Sequence, residues 1–258
     1  MRNRHLFRIA VVFIVFLPGF CQAAIPADTR HELPLDQPAK FIDTQQHAEE
    51  HLARGNYLMQ NGELEEAIIA YSRALELNSD LHEALFNRGL ARGRHGDLDA
   101  AIADLSKYIQ IYPDSSLAYT KRGIRKLWKG DIHGAYRDYL KAIKLDGSNA
   151  EAHDDIGVIY AQWGQLGKAL ISFKVATRLD PGYQKAYHNL ALTHYLREEA
   201  QLALEAINKS LELKPDAKAS LLLKSEILER LGKHEQAQKL RQYAEQLPDA
   251  NWTEEFDG

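Results

Sequence analysis

The chain has 258 residues, 45% of them hydrophobic and 26% charged, and its 32 Lys and Arg against 36 Asp and Glu give a formal net charge of −4. With no basic excess to meet a phosphate backbone, nucleic acid is not expected as a partner. The single cysteine, Cys21, excludes an internal disulfide framework and any multi-cysteine metal cluster.

In chain order, a basic start (MRNRH) precedes the apolar run from Ile9 to Leu17, which Pro18 and Gly19 break before the small residues around Ala23. That succession predicts a signal peptide over 1–23, cleaved after Ala23. Nine residues at about 1.5 Å each fall well short of the roughly 30 Å hydrocarbon core, so no integral membrane span is expected after its removal. The expected location is the periplasm or the exterior; the alternative is a membrane anchor through a retained signal or a lipidated Cys21. Residues 24–47 carry Pro26, Pro34 and Pro38 without sustained periodicity, which predicts an extended linker.

From Ala48 onward one pattern recurs at a constant interval of thirty-four, without insertion or deletion. The units are 48–81, 82–115, 116–149, 150–183, 184–217 and 218–251. Position twenty is always alanine: Ala67, Ala101, Ala135, Ala169, Ala203 and Ala237. Position eight is always small: Gly55, Gly89, Gly123, Gly157, Ala191 and Ser225. Position fifteen is glycine except at Glu198 in the fifth unit. Apolar or small residues at positions four, seven, eight and eleven form one helical stripe, so each unit should hold a first helix over positions 1–14 and a second over 16–29. Glycine at fifteen suits the left-handed residue that ends a helix, and Pro113, Pro181 and Pro215 mark where second helices have stopped.

These small residues, with the aromatics Tyr160 and Phe173 at positions eleven and twenty-four and Pro181 at thirty-two, resemble the tetratricopeptide repeat, a helix–turn–helix unit of the same period. The resemblance implies an all-α chain, an α-solenoid wound as a right-handed superhelix of six units. The second helix of the sixth unit, HEQAQKLRQYAEQ, is mostly polar, as a terminal cap must be. An acidic tail, 252–258, closes the chain, with Trp252 expected to pack on the last helix.

Two units share a coupled departure. Arg88 and Arg122 occupy position seven, and the same units have Asp104 and Asp138 at position twenty-three, where units with Ile156 or Leu190 at seven carry Ser172 and Ala206. Each Arg–Asp pair should close its hairpin as a partly buried structural ion pair. Arg54, facing Ala70, should extend its charge to water.

Positions two, five, nine, twelve and thirteen form a second helical stripe, which in the resembled family lines a concave, peptide-binding face. Here it carries Phe86, Leu90, Ile124, Leu127, Trp128, Val158, Leu192, Tyr195 and Leu196. A contiguous apolar surface marks a binding site, and Trp128 is its expected anchor. Asn56, Arg94, Lys121, Asp154, Lys185 and His188 punctuate it with polar groups. Some relatives in that family clamp a peptide's terminal carboxylate. Asn56, Asn87 and Lys121 match three of that clamp's places, while Leu52 and Leu117 replace two lysines. Catalytic chemistry finds little support: Asp154 and Asp155 point about 100° apart on a helix, which argues against a pair working on one atom, and no nucleophile motif or phosphate loop is present. His47 and His51 are spaced like metal ligands but lack further ligands; no metal or cofactor is expected.

The expected function is a non-enzymatic scaffold or adaptor binding a protein or peptide in the concave groove. The resemblance implies support for assembly of an envelope or secretion complex. A structural alternative is a homo-oligomer that uses the same apolar surface, and a metal-binding protein or hydrolase stands behind both.

Overall fold

The structure, a computed structural model, describes residues 44–248. The signal peptide, the linker up to residue 43, Cys21 and the tail with Trp252 and Phe256 lie outside the described residues. Twelve helices and no strands make up the described part: α1 (Thr44–Gln60), α2 (Leu64–Leu77), α3 (His82–His95), α4 (Leu98–Ile111), α5 (Ser116–Lys129), α6 (Ile132–Leu145), α7 (Ala150–Gln162), α8 (Leu166–Leu179), α9 (Gln184–Leu196), α10 (Ala200–Leu213), α11 (Lys218–Arg230) and α12 (His234–Gln246). Each repeat unit is one helical hairpin. Its second helix runs from position seventeen to about thirty, one residue later than the spacing predicts. Helix α1 begins at Thr44, so residues 44–47 are helical and not part of an extended linker. Among the described residues no helix is long and apolar enough to cross a membrane.

The described chain divides into two compact units, residues 44–104 and 105–248, the division falling within α4. In the first, α2 packs against α1 and α3 around Leu52, Leu58, Ala67, Tyr71, Ala84 and Ala91. In the second, hairpins α5–α6, α7–α8, α9–α10 and α11–α12 each close on themselves, and each second helix rests on the first helix of the next hairpin. One core there joins Ile124, Ala135, Tyr139, Ile156 and Ile159; another runs from Val158 and Phe173 to Leu192, Ile207 and Ile227. Helix α12 buries only Ala237 and Ala244, in keeping with a terminal cap.

The small residues have steric reasons. A β-carbon at Gly55, Gly123 or Gly157 would lie 2.5, 2.6 or 2.7 Å from the ring of Tyr71, Tyr139 or Phe173, so the position-twenty-four aromatic fills the space that glycine leaves. At position fifteen the backbone is left-handed, from φ +71° at Gly164 to +97° at Gly96, and Glu198 adopts the same conformation at +64°. The chain therefore holds the turn even where it lacks glycine.

Both predicted ion pairs form, and each has a third and a fourth member. Arg88 Nε and Nη2 donate to Asp104 at 2.8 and 2.9 Å, Arg92 reaches the same carboxylate at 2.6 Å, and Ser72 Oγ accepts from Arg88 Nη1 at 3.2 Å. One repeat further on, Arg122 donates to Asp138 at 2.8 and 2.7 Å, Lys126 lies 2.7 Å from it, and Ser106 takes the place of Ser72 at 3.1 Å. Arg54 is exposed, as expected.

Candidate protein-interaction face

In residues 44–104 the expected contact residues sit on α1 and α3. Asn56 Oδ1 accepts from Tyr71 Oη and from Asn87 Nδ2, both at 2.9 Å. The two asparagines are thus tied to each other and to the repeat's own tyrosine. Burial, and then Glu83, push that phenol up to about 12. Phe86, Leu90 and Arg94 are half-buried.

In residues 105–248 the first helices α5, α7, α9 and α11 lie side by side. Four of the expected apolar contacts are interior: Ile124, Val158, Leu192 and Tyr195 are 4%, 8%, 3% and 5% exposed. Neighbouring helices cover them, so the continuous apolar surface expected from one helix's periodicity is largely packing. Tyr195 also lies under the Arg230 guanidinium at 4.2 Å, and Arg230 Nη1 donates to the Tyr195 carbonyl at 3.1 Å. Leu127, Trp128 and Leu196 remain half-buried. Trp128 is not a bare anchor: it packs on the Ile124–Ile156 core, and the enclosed Arg125 guanidinium lies 5.0 Å from its ring. Position thirteen of the four first helices presents Trp128, Gln162, Leu196 and Arg230 in turn, none of them buried.

The polar residues of this face form a lattice between helices. Lys121 Nζ of α5 bonds Glu151 of α7 at 3.0 Å. Lys185 Nζ of α9 reaches back to Asp155 and Asp154 of α7 at 3.0 and 3.3 Å, and Asn189 Nδ2 donates to both oxygens of Asp154 at 2.9 and 3.1 Å. The adjacent aspartates therefore do converge on one atom, contrary to the angular expectation, because the long lysine side chain comes to them from another helix. His188 Nδ1 is 2.9 Å from Ser220 Oγ of α11, which shares Gln184 Nε2 with Ser210 of α10. Each of the clamp-matching residues, Asn56, Asn87 and Lys121, is therefore already bonded within the fold.

Burial sets the ionisation of this lattice. It raises Asp154 to about 6 against the pull of Lys185, and raises Glu151 against the pull of Lys121. Burial alone lowers His188 to about 4. For Lys185 burial works downward, but Asp155, Tyr183 and Asp154 together hold the ammonium well above its ordinary value. At neutral pH the structure therefore favours charged Lys185 and neutral His188. Sequence reading missed Arg125 and Asn189, and it left the cross-helix pairing unseen. The pairing had a signal: position six of one unit and position two of the next carry opposite charges, Lys121 with Glu151 and Asp155 with Lys185, at the same separation in both cases.

The fold defines an all-α protein of repeated helical hairpins. Two family profiles, both described as tetratricopeptide repeat, match the chain, one over residues 52–116 and the other over 150–183 and 184–217, together just over half of it. The chain belongs to the tetratricopeptide-repeat family. No curated protein matches it. Among solved structures, that of Pseudomonas aeruginosa pilF is 17% identical and covers 83% of this chain and 97% of its own, with a TM-score of 0.69. A thermophilic tetratricopeptide protein of Thermus thermophilus is 22% identical over 71% of this chain and 98% of its own, at 0.59. YrrB, described as a tetratricopeptide protein with an unusual peptide-binding site, is 25% identical over 69% of this chain and 96% of its own, at 0.51.

Proposed function

We propose that this protein is a non-enzymatic scaffold that holds a polypeptide against the first-helix face of residues 105–248, the face that is concave in the family's superhelix. The observation that carries this reading is the row of half-buried Trp128, Gln162 and Leu196 and exposed Arg230 on α5, α7, α9 and α11. It combines an aromatic, an amide, an aliphatic and a cationic group, one from each repeat. Tryptophan and arginine, the two ends of the row, are enriched among the residues that dominate interface energetics. The N-terminal sequence supports export through a cleaved signal and service in an envelope or secretion assembly.

The test is capture from envelope extract by residues 24–258, beside a variant carrying Trp128→Ala and Leu196→Ala. A partner retained by the parent and lost by the variant, at unchanged helicity, supports the reading. Equal capture by both moves the site elsewhere. Self-association would show as a concentration-dependent mass in sedimentation, but burial of Ile124, Val158 and Leu192 removes much of the apolar surface it would use.

A further inference from the structure

The second helices α6 and α8 both rest on α7 and turn their outer faces to solvent. In α6 the buried Ala135, Tyr139 and Ala142 mark the inner face. At about 100° per residue, Arg137, Leu140 and Lys144 lie opposite them in one row. In α8, Ala169, Phe173 and Ala176 are buried, and the same repeat positions, twenty-two, twenty-five and twenty-nine, bring Ile171, Lys174 and Arg178 to the matching row. Leu140 is 44% and Ile171 66% exposed.

Two features separate this double row from an ordinary solvated surface. The first is charge of one sign. Helix α8 contains no acidic residue, and the acid of α6, Asp138, is turned inward to Arg122 and Lys126. Arg137, Lys144, Lys174 and Arg178 are exposed and form no ion pair among the described residues. Lys141 and Lys168 flank them, lying over the rings of Tyr119 and Tyr160 at 5.8 and 5.3 Å. Asp146 and Asp180, just past the helix ends, accept hydrogen bonds within their own turns. The outer face of α10 inverts the sign, with Glu205 and Glu212 at positions twenty-two and twenty-nine. The second feature is the exposed aliphatic side chain that stands among the cations in each row.

Lysine, arginine and uncovered aliphatic side chains suit an anionic lipid surface better than an acidic polypeptide. Lysine is depleted at protein interfaces, which favour aromatic residues, and no aromatic residue stands in either row. At a bilayer, by contrast, the cations meet headgroup phosphates while the aliphatic groups enter the boundary of the acyl chains. The apolar run from Ile9 to Leu17, the expected signal, takes the chain to a membrane.

We propose that the outer face of α6 and α8 is a peripheral docking site for anionic phospholipid headgroups. The inner faces of these helices pack on first helices, so docking leaves the first-helix face open.

The test is flotation of residues 24–258, which keep all twelve described helices and lack the apolar run that would enter any bilayer. The vesicles are of equal parts phosphatidylglycerol and phosphatidylcholine, or of phosphatidylcholine alone. Binding to the first and not the second is expected, weakened about tenfold or more by about 0.5 M salt. Arg137→Gln with Lys144→Gln, Lys174→Gln and Arg178→Gln should weaken it by about tenfold or more, and Leu140→Ser with Ile171→Ser should weaken it less. Lys209→Gln with Lys239→Gln, on α10 and α12, should leave it unchanged. All of these side chains are exposed, and equal helicity separates lost binding from lost fold. Absent binding, equal binding to both vesicles, a four-cation variant that binds like the parent, or equal loss in the α10 and α12 variant overturns the proposal. So does binding that appears only once residues 249–258 are removed, which would make the chain's own acidic tail the occupant. No polypeptide partner takes part, so the outcome is independent of the proposed scaffold function.

Discussion

The ring of Phe173 occupies the space where a β-carbon of residue 157 would stand, 2.7 Å from Phe173 Cε1. Ordinary helix propensity would favour Gly157→Ala by about 1 kcal/mol. Overlap with a ring enclosed in the core reverses the sign, and the substitution should cost roughly 1–3 kcal/mol in urea unfolding. The fifth unit shows the remedy, since Ala191 occurs there with Ile207 at position twenty-four, both fully buried. Adding Phe173→Ile to Gly157→Ala should recover a good part of the loss, and a double variant no better than the single would refute the steric account.

The Asp138 carboxylate gathers two cations, Arg122 and Lys126, at a site where it is 6% exposed. Asp138→Ala leaves both without their acceptor and should cost about 3–5 kcal/mol. Arg122→Ile with Asp138→Ser copies the solution of the fourth unit, Ile156 with Ser172, and should cost much less than Asp138→Ala. Equilibrium unfolding of the three proteins decides it; a double variant as unstable as Asp138→Ala would show that the pair itself holds the hairpin.

Glu198 is the non-glycine residue with positive φ among the described residues. Left-handed geometry costs an ordinary residue about 1–2 kcal/mol, part of which glycine returns through its freer unfolded chain. Glu198→Gly should therefore raise stability by roughly 0.5–1 kcal/mol, read as a higher urea midpoint at unchanged slope. A lower midpoint would mean that the Glu198 side chain contributes more than its backbone costs. The adjacent Glu199 already braces this turn through His194 at 2.6 Å and Arg197 at 2.8 Å.

The fold was readable because its determinants are local and repeated. Ala169, Gly157 and Gly164 each report a contact or a turn within one hairpin, and five further copies repeat the message. The face was less readable because what matters there lies between hairpins. A helical wheel of α9 places Leu192 on the outward stripe, but it does not show that a neighbouring first helix covers that residue. Lys185 illustrates the same limit. Its reach to two aspartates on α7 depends on the offset between adjacent first helices, which no single unit contains. The opposite charges at positions six and two of successive units were present in the sequence, and the inter-helix offset gives them meaning.

The lattice Lys121–Glu151 and Asp155–Lys185 also gives the repeats an order. At these two junctions a hairpin shows its successor a charge that the neighbour answers with the opposite one. If the unit 150–183 were excised in register, Lys121 would face Lys185, ammonium against ammonium, in a place with little water to screen them. Units that look interchangeable by their glycines and alanines are therefore keyed by their lysines and acids. A recombination that drops or slips this hairpin would keep the rhythm of the repeat and lose the match.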